Sequence, residues 1–125
     1  MNWMGRTRKE KLAPILSLFT VEGQEEGLTL CKQLLTREGM GHTAIIHTRD
    51  PYLAERYGLE MPANRILINS PAAQGSFGGS TGLMPSAILG CGTLGGSSTS
   101  DNVTYTHLRN IKRVAYVRQE PAAGS

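Results

Sequence analysis

The sequence predicts an α/β fold: a parallel-sheet β-α-β-α-β core, then a long Gly/Ser-rich loop region, then a C-terminal edge or inter-subunit strand. Three observations carry this. Short apolar runs alternate with segments of helical periodicity, the pattern of a parallel sheet covered on both faces with right-handed crossovers. Eight of the fifteen glycines crowd between residues 75 and 96, which marks loop. Residues 110–118 (NIKRVAYVR) alternate apolar with basic side chains, as an edge or inter-subunit strand would.

The elements follow in order. Residues 12–21 (LAPILSLFTV) form a mostly apolar run suited to a buried strand, with Pro14 near its start. Over 24–38 the apolar residues Leu28, Cys31, Leu34 and Leu35 recur at helical spacing, acidic residues lead, and Gly39 supplies the stop, so an amphipathic helix is expected. Residues 42–48 (HTAIIHT) read as a second strand. Residues 50–57 read as a short helix capped by Asp50 with Pro51 at its first position. Residues 65–69 (RILIN) read as a third strand. The Gly/Ser-rich stretch that follows is unusually long for a compact domain, so function is expected to concentrate there.

Composition narrows the class. The 125 residues suit one structural unit with one core. The net charge of +3 comes mainly from two ends, Arg6, Arg8, Lys9 and Lys11 at the start and Arg109, Lys112, Arg113 and Arg118 near the finish. No nucleic-acid motif, aromatic-interleaved basic face or zinc spacing accompanies them, so the reading is solvated basic ends without a nucleic-acid partner. No apolar run reaches the roughly twenty residues that span a bilayer, and no signal-peptide core stands at the start; the expectation is a cytoplasmic protein. Cys31 and Cys91 suit a reducing compartment and lack zinc-finger spacing.

Several residues invite stronger readings. Gly90, Gly92 and Gly95 have the G-x-G-x-x-G spacing of a dinucleotide cradle. They are followed by GSSTSDN rather than a helix, and the position about twenty residues on falls at Asn110 and Ile111 instead of an acid. The GGSTG at 78–82 lacks the lysine of a phosphate loop. Cys91 as a nucleophile would need a neighbouring base or positive field, and the sequence places none beside it. A small residue in a tight turn is the better-supported reading, and Cys31 reads as inert core. His42 and His47 are five apart on one strand, hence on opposite faces, and cannot share a metal; no metal site is expected. His42 follows a tight GMG turn, where a pocket residue and a satisfied structural histidine are both open readings.

Four motifs in one order carry a resemblance: EKLAP at 10–14, GHTAIIHT at 41–48, NRILINSPAAQG at 64–75 and LGCGTLGGSSTSDN at 89–102, followed by HLRNIKRVAY. Together they resemble the C-terminal part of the catalytic domain of CoA-acylating aldehyde dehydrogenases, including the aldehyde half of the bifunctional aldehyde-alcohol dehydrogenases. The resemblance implies a reaction in which a cysteine thiolate attacks an aldehyde, hydride passes to NAD, and CoA resolves the thioester to acyl-CoA. In that family the nucleophile and NAD-binding domain precede the EKLAP-type motif, and nine residues precede it here. The expectation is a catalytic lobe without either part, inactive alone. The alternatives are a CoA-binding or subunit-assembly module and a non-functional remnant.

By position, the resemblance implies that Glu10 hydrogen-bonds the nicotinamide ribose and Leu12 packs near the nicotinamide. It places His42 at the CoA or thioester pocket, Ala73, Gln74, Gly75 and Leu89 around the aldehyde, and Gly90 and Cys91 in a close-packed turn on the substrate side. It also implies an inter-subunit strand over 113–118, hence a homo-oligomer or pairing with the missing domain, with enclosure in a bacterial microcompartment left open. Three departures bear on substrate choice: Leu94 where some relatives carry tryptophan, Thr104-Tyr105 in place of Gly-Pro, and Ser76-Phe77 interrupting a glycine-rich loop.

Overall fold

A computed structural model describes residues 13–117. At its centre two short strands, β1 (Thr43–Ile46) and β2 (Arg65–Ile68), pair in parallel with Thr43 opposite Arg65 and Ile46 opposite Ile68. Helix α1 (Gln24–Arg37) precedes β1, and helix α2 (Pro51–Glu60) crosses from β1 to β2. The predicted periodicity places both helices to within three residues at either end. Glu25 and Glu26 occupy the first turn of α1, and Arg37 the last, where the helix dipole favours each sign. On α2 the Asp50 side chain accepts from the Tyr52 amide at 2.9 Å and Pro51 starts the helix, as expected.

The core lies between α1, α2 and one face of the sheet. Leu28, Ala44, Tyr57 and Met61 are buried together, with Cys31, Leu35, Ile46, Leu53, Ala63 and Ile66 packed around them. An exposed ion network seals the outside of this layer: Arg56 donates to both Glu25, in a fork, and Glu60. These hydrogen bonds hold the Glu25 carboxyl below its usual range and the Arg56 guanidinium above its own. At the strand ends Asn69, at φ 55°, accepts from the Thr48 amide and donates to its carbonyl, at 3.0 and 2.9 Å. Asparagine tolerates that left-handed conformation better than most residues.

The opposite face of the sheet is covered differently. A short helix, α3 (Ala72–Ser76), follows β2, and a small antiparallel pair, β3 (Ile88–Leu89) with β4 (Asn102–Val103), closes the loop region. One-turn 3-10 helices at Thr93–Gly95 and Tyr105–Leu108 complete it.

Two expectations are corrected. No strand forms over 13–21: no described residue there joins a ladder, and Leu16 and Leu18 are 89% and 85% exposed. A buried strand needs a ladder partner and an apolar cover, and the described chain offers neither. The β-α-β-α-β core is therefore present as α-β-α-β. Likewise 110–117 join no ladder among the described residues, so this segment is not an edge strand of the described sheets; Arg118 lies outside the described residues. The Gly/Ser-rich region carries α3 and the β3–β4 pair, which its glycine content concealed.

Candidate functional site

A cleft of about 550 Å³ opens on the α3 side of the sheet, lined by His42, Thr43, Ala72, Ala73, Ser76, Phe77, Ala87 and Leu89. Its walls come from three places: the start of β1, helix α3 with the residue after it, and β3. The floor is mostly apolar, while His42 stands exposed at one rim with Nδ1 3.2 Å from the Thr43 hydroxyl. That arrangement, an apolar trough with an imidazole at its mouth, suits an acyl or alkyl chain bearing a polar reacting end.

Of the residues that the resemblance singles out, His42, Ala73 and Leu89 meet here. Gln74 is exposed on α3 and its carbonyl accepts from the Gly79 amide at 2.9 Å. Gly75 is buried against β2, where an added Cβ would lie 2.6 Å from the Ser70 hydroxyl and 2.9 Å from Leu67. It sets the closeness of α3 to the sheet without lining the cleft. Glu10 and Leu12 lie outside the described residues. His47 lines a separate groove of about 500 Å³ between α1, β1 and α2, so the two histidines do face opposite sides.

Gly90 and Cys91 belong to a turn packed behind the cleft. Gly41, at φ 77°, touches this turn so closely that a Cβ would collide with the Cys91 carbonyl and stand 2.7 Å from the Gly95 amide. A Cβ on Gly95 would collide with Cys91, and one on Gly90 with the Thr99 carbonyl. Asn64 donates its side-chain amide to the same Cys91 carbonyl. These glycines let three backbone segments touch. Cys91 is half-buried in that turn, with no hydrogen-bonded base among the described residues.

Arg65 and Asn102 are not among the site residues expected from sequence. Both are buried, at 4% and 8% exposure. Arg65 Nε donates to Asn102 Oδ1 at 2.8 Å and Nη2 reaches the Ser100 carbonyl at 3.2 Å, while the buried Nη1 has no hydrogen-bond partner among the described residues. Asn102 in turn donates to the Ser76 and Met84 carbonyls at 3.1 and 2.7 Å. A signal existed: in RILIN, Arg65 shares a face with Leu67, so a strand covered on both sides must bury it.

Comparison with known proteins places these features. No family model matches the chain. It is 44% identical over 108 residues to aldehyde-alcohol dehydrogenase 2 of Entamoeba histolytica, covering 86% of this chain and 12% of that protein. It is 38% identical over 114 residues to an acetylating succinate-semialdehyde dehydrogenase of Clostridium kluyveri, covering 90% of this chain and 25% of that one. The crystal structure of an acetylating aldehyde dehydrogenase from Geobacillus thermoglucosidasius superposes with a TM-score of 0.83 at 46% identity, over 93% of this chain and 26% of that one. The chain thus spans between 12% and 26% of the length of these relatives.

Proposed function

From the chain's homology to one part of the aldehyde-alcohol and acylating aldehyde dehydrogenases, we propose that it forms the acyl- and CoA-facing wall of such an enzyme. The reaction of the whole assembly is aldehyde, CoA and NAD to acyl-CoA and NADH. The observation carrying this is the cleft in which His42, Ala73 and Leu89, separated in sequence, come together.

The wall contributes three things. Ala72, Ala73, Phe77, Ala87 and Leu89 bind an aliphatic chain by excluding water from it. With Nδ1 donating to the Thr43 hydroxyl, His42 keeps Nε2 as the acceptor for the proton of an incoming thiol. The glycine turn behind Leu89 holds β3 in place. Neither Cys31 nor Cys91 is the reacting sulfur: Cys31 packs against the α1–α2 core, and Cys91 is locked in the turn.

NAD, when bound, accepts the hydride, but the described residues do not fit its pyrophosphate. The strand-to-helix turn where a parallel α/β unit holds phosphates has Asp50 as its cap, a carboxylate in place of backbone amides free for an anion. NAD is instead met through Glu10 and Leu12 and the lobe supplying the nucleophile. The wall turns nothing over without the lobe that supplies the nucleophile, and it associates with that lobe or with a second copy of this chain through the exposed apolar residues at 15–18 and 111–117.

Titration of the 125-residue chain with acetyl-CoA, followed by amide and methyl NMR shifts, tests the wall. Shifts are expected at His42, Ala73, Phe77 and Leu89; absence of any change there at millimolar ligand overturns the reading. Sedimentation at rising concentration is expected to show self-association, and a strict monomer would count against the exposed segments as contact surfaces.

A further inference from the structure

We infer that Arg65 and Asn102 are positioning residues of the cleft, setting its wall without touching ligand. The inference rests on the reading of that cleft as the acyl-CoA wall. Residues 77–89, which supply Phe77, Ala87 and Leu89, have no apolar core beneath them: Phe77, Leu83, Met84 and Ile88 are between 37% and 67% exposed. Something other than hydrophobic burial must fix their place.

The hydrogen bonds identify it. Asn102 is a four-way junction: its oxygen accepts from Arg65 Nε on β2, its amide donates to Ser76 at the end of α3 and to Met84 in the loop, and its backbone lies in β4 opposite Leu89. Both walls that come from outside β1, α3 and β3, are therefore referred to one residue, and its side chain is anchored to the sheet by Arg65. Among the described residues, Arg65 is the buried side chain that carries a formal charge, and the acceptors recorded for it are an amide oxygen and the Ser100 and Asp101 carbonyls. Neutral acceptors leave the fork satisfied in part, which suits a locating peg better than an optimised ion pair.

The two ends of the junction can be separated by substitution. Asn102→Asp keeps an acceptor for Arg65 and adds a counter-charge, but removes both donors and sets an oxygen against the Ser76 and Met84 carbonyls. The urea midpoint should hold while amide exchange at Ser86 and Gly90, which bond to Phe77 and Asp101, accelerates at least tenfold. Affinity for acetyl-CoA should fall at least tenfold. Arg65→Lys, which loses the planar fork but keeps the charge, should move the same readouts in the same direction and stands in if Asn102→Asp fails to fold. Unchanged exchange and affinity in both variants would overturn the inference. So would a midpoint that falls in step with them, because the pair would then hold the fold as a whole. If wild-type chain binds no acetyl-CoA yet exchange separates from the midpoint, the positioning role stands and the acyl-CoA reading falls.

Discussion

Residues 24–68 and residues 69–108 are held together by different physics. In the first stretch the buried side chains are mostly apolar: Leu28, Ala44, Ala54, Tyr57, Met61 and Leu67. In the second, the residues that become buried are Ser70, Gly75, Ser76, Gly90, Gly92 and Asn102, without one bulky apolar side chain. The first half is stabilised by removing hydrocarbon from water, the second by backbone segments that approach closely enough to exchange hydrogen bonds. The cleft lies on the seam, with His42 and Thr43 from one half and Phe77, Ala87 and Leu89 from the other. A packed half tolerates changes of shape and keeps its position; a half built on backbone contact tolerates almost none but can hold a surface loop where no core is available.

The contrast predicts opposite responses to one added and three removed carbons. Leu28→Ala should cost about 3 kcal/mol through lost burial and the cavity left behind, whereas Leu28→Met should cost less than about 1.5 kcal/mol. Gly41→Ala adds a single methyl group, yet it meets a positive φ and the Cys91 and Gly95 backbone at once. It should cost about 3 kcal/mol or more, and no larger residue should do better. Urea unfolding of the three variants checks this. A Gly41→Ala protein as stable as wild type would erase the distinction between the halves.

The same division explains what could be read from the residues alone. Period and capping located α1, β1, α2 and β2, because burial of an apolar stripe against a neighbour leaves a repeating trace, as at Leu28, Cys31 and Leu35. The 12–21 run shows where that signal misleads: apolar character states that a segment wants cover, and the described chain supplies none for Ile15, Leu16 and Leu18. In the second half, α3 has five residues and β3 and β4 two each, too short for any period to register. There the glycines marked the turn, but which backbones they bring together, Gly41 to Cys91 and Gly90 to Thr99, is a long-range fact. The site candidates came from family resemblance. Those facing the trough, His42, Ala73 and Leu89, meet there, while Arg65 and Asn102 escaped because a buried polar junction has no local pattern.

A smaller effect sharpens the comparison by asking where alkaline pH first loosens the protein. Tyr57 is 5% exposed, and burial, reinforced by the neighbouring Cys31 thiol and opposed by a backbone hydrogen bond at Ile45, pushes its hydroxyl up to about 12. In the unfolded chain the same group ionises near 10, so between those values the unfolded state has lost a proton that the folded state keeps. Unfolded chains then bind fewer protons, and stability falls as pH rises. The contribution is fully present below about pH 10 and is lost progressively towards about pH 12, on the order of 2 kcal/mol in all. Measured by urea midpoints, the wild-type and Tyr57→Phe curves should run parallel up to about pH 10, after which the wild type should drop more steeply. Parallel curves through pH 12 would show that the hydroxyl is not held in an apolar site. Asn102 and the glycine backbone contacts carry no proton that titrates in this window, so the steeper loss should originate in the packed half and vanish with that single oxygen atom.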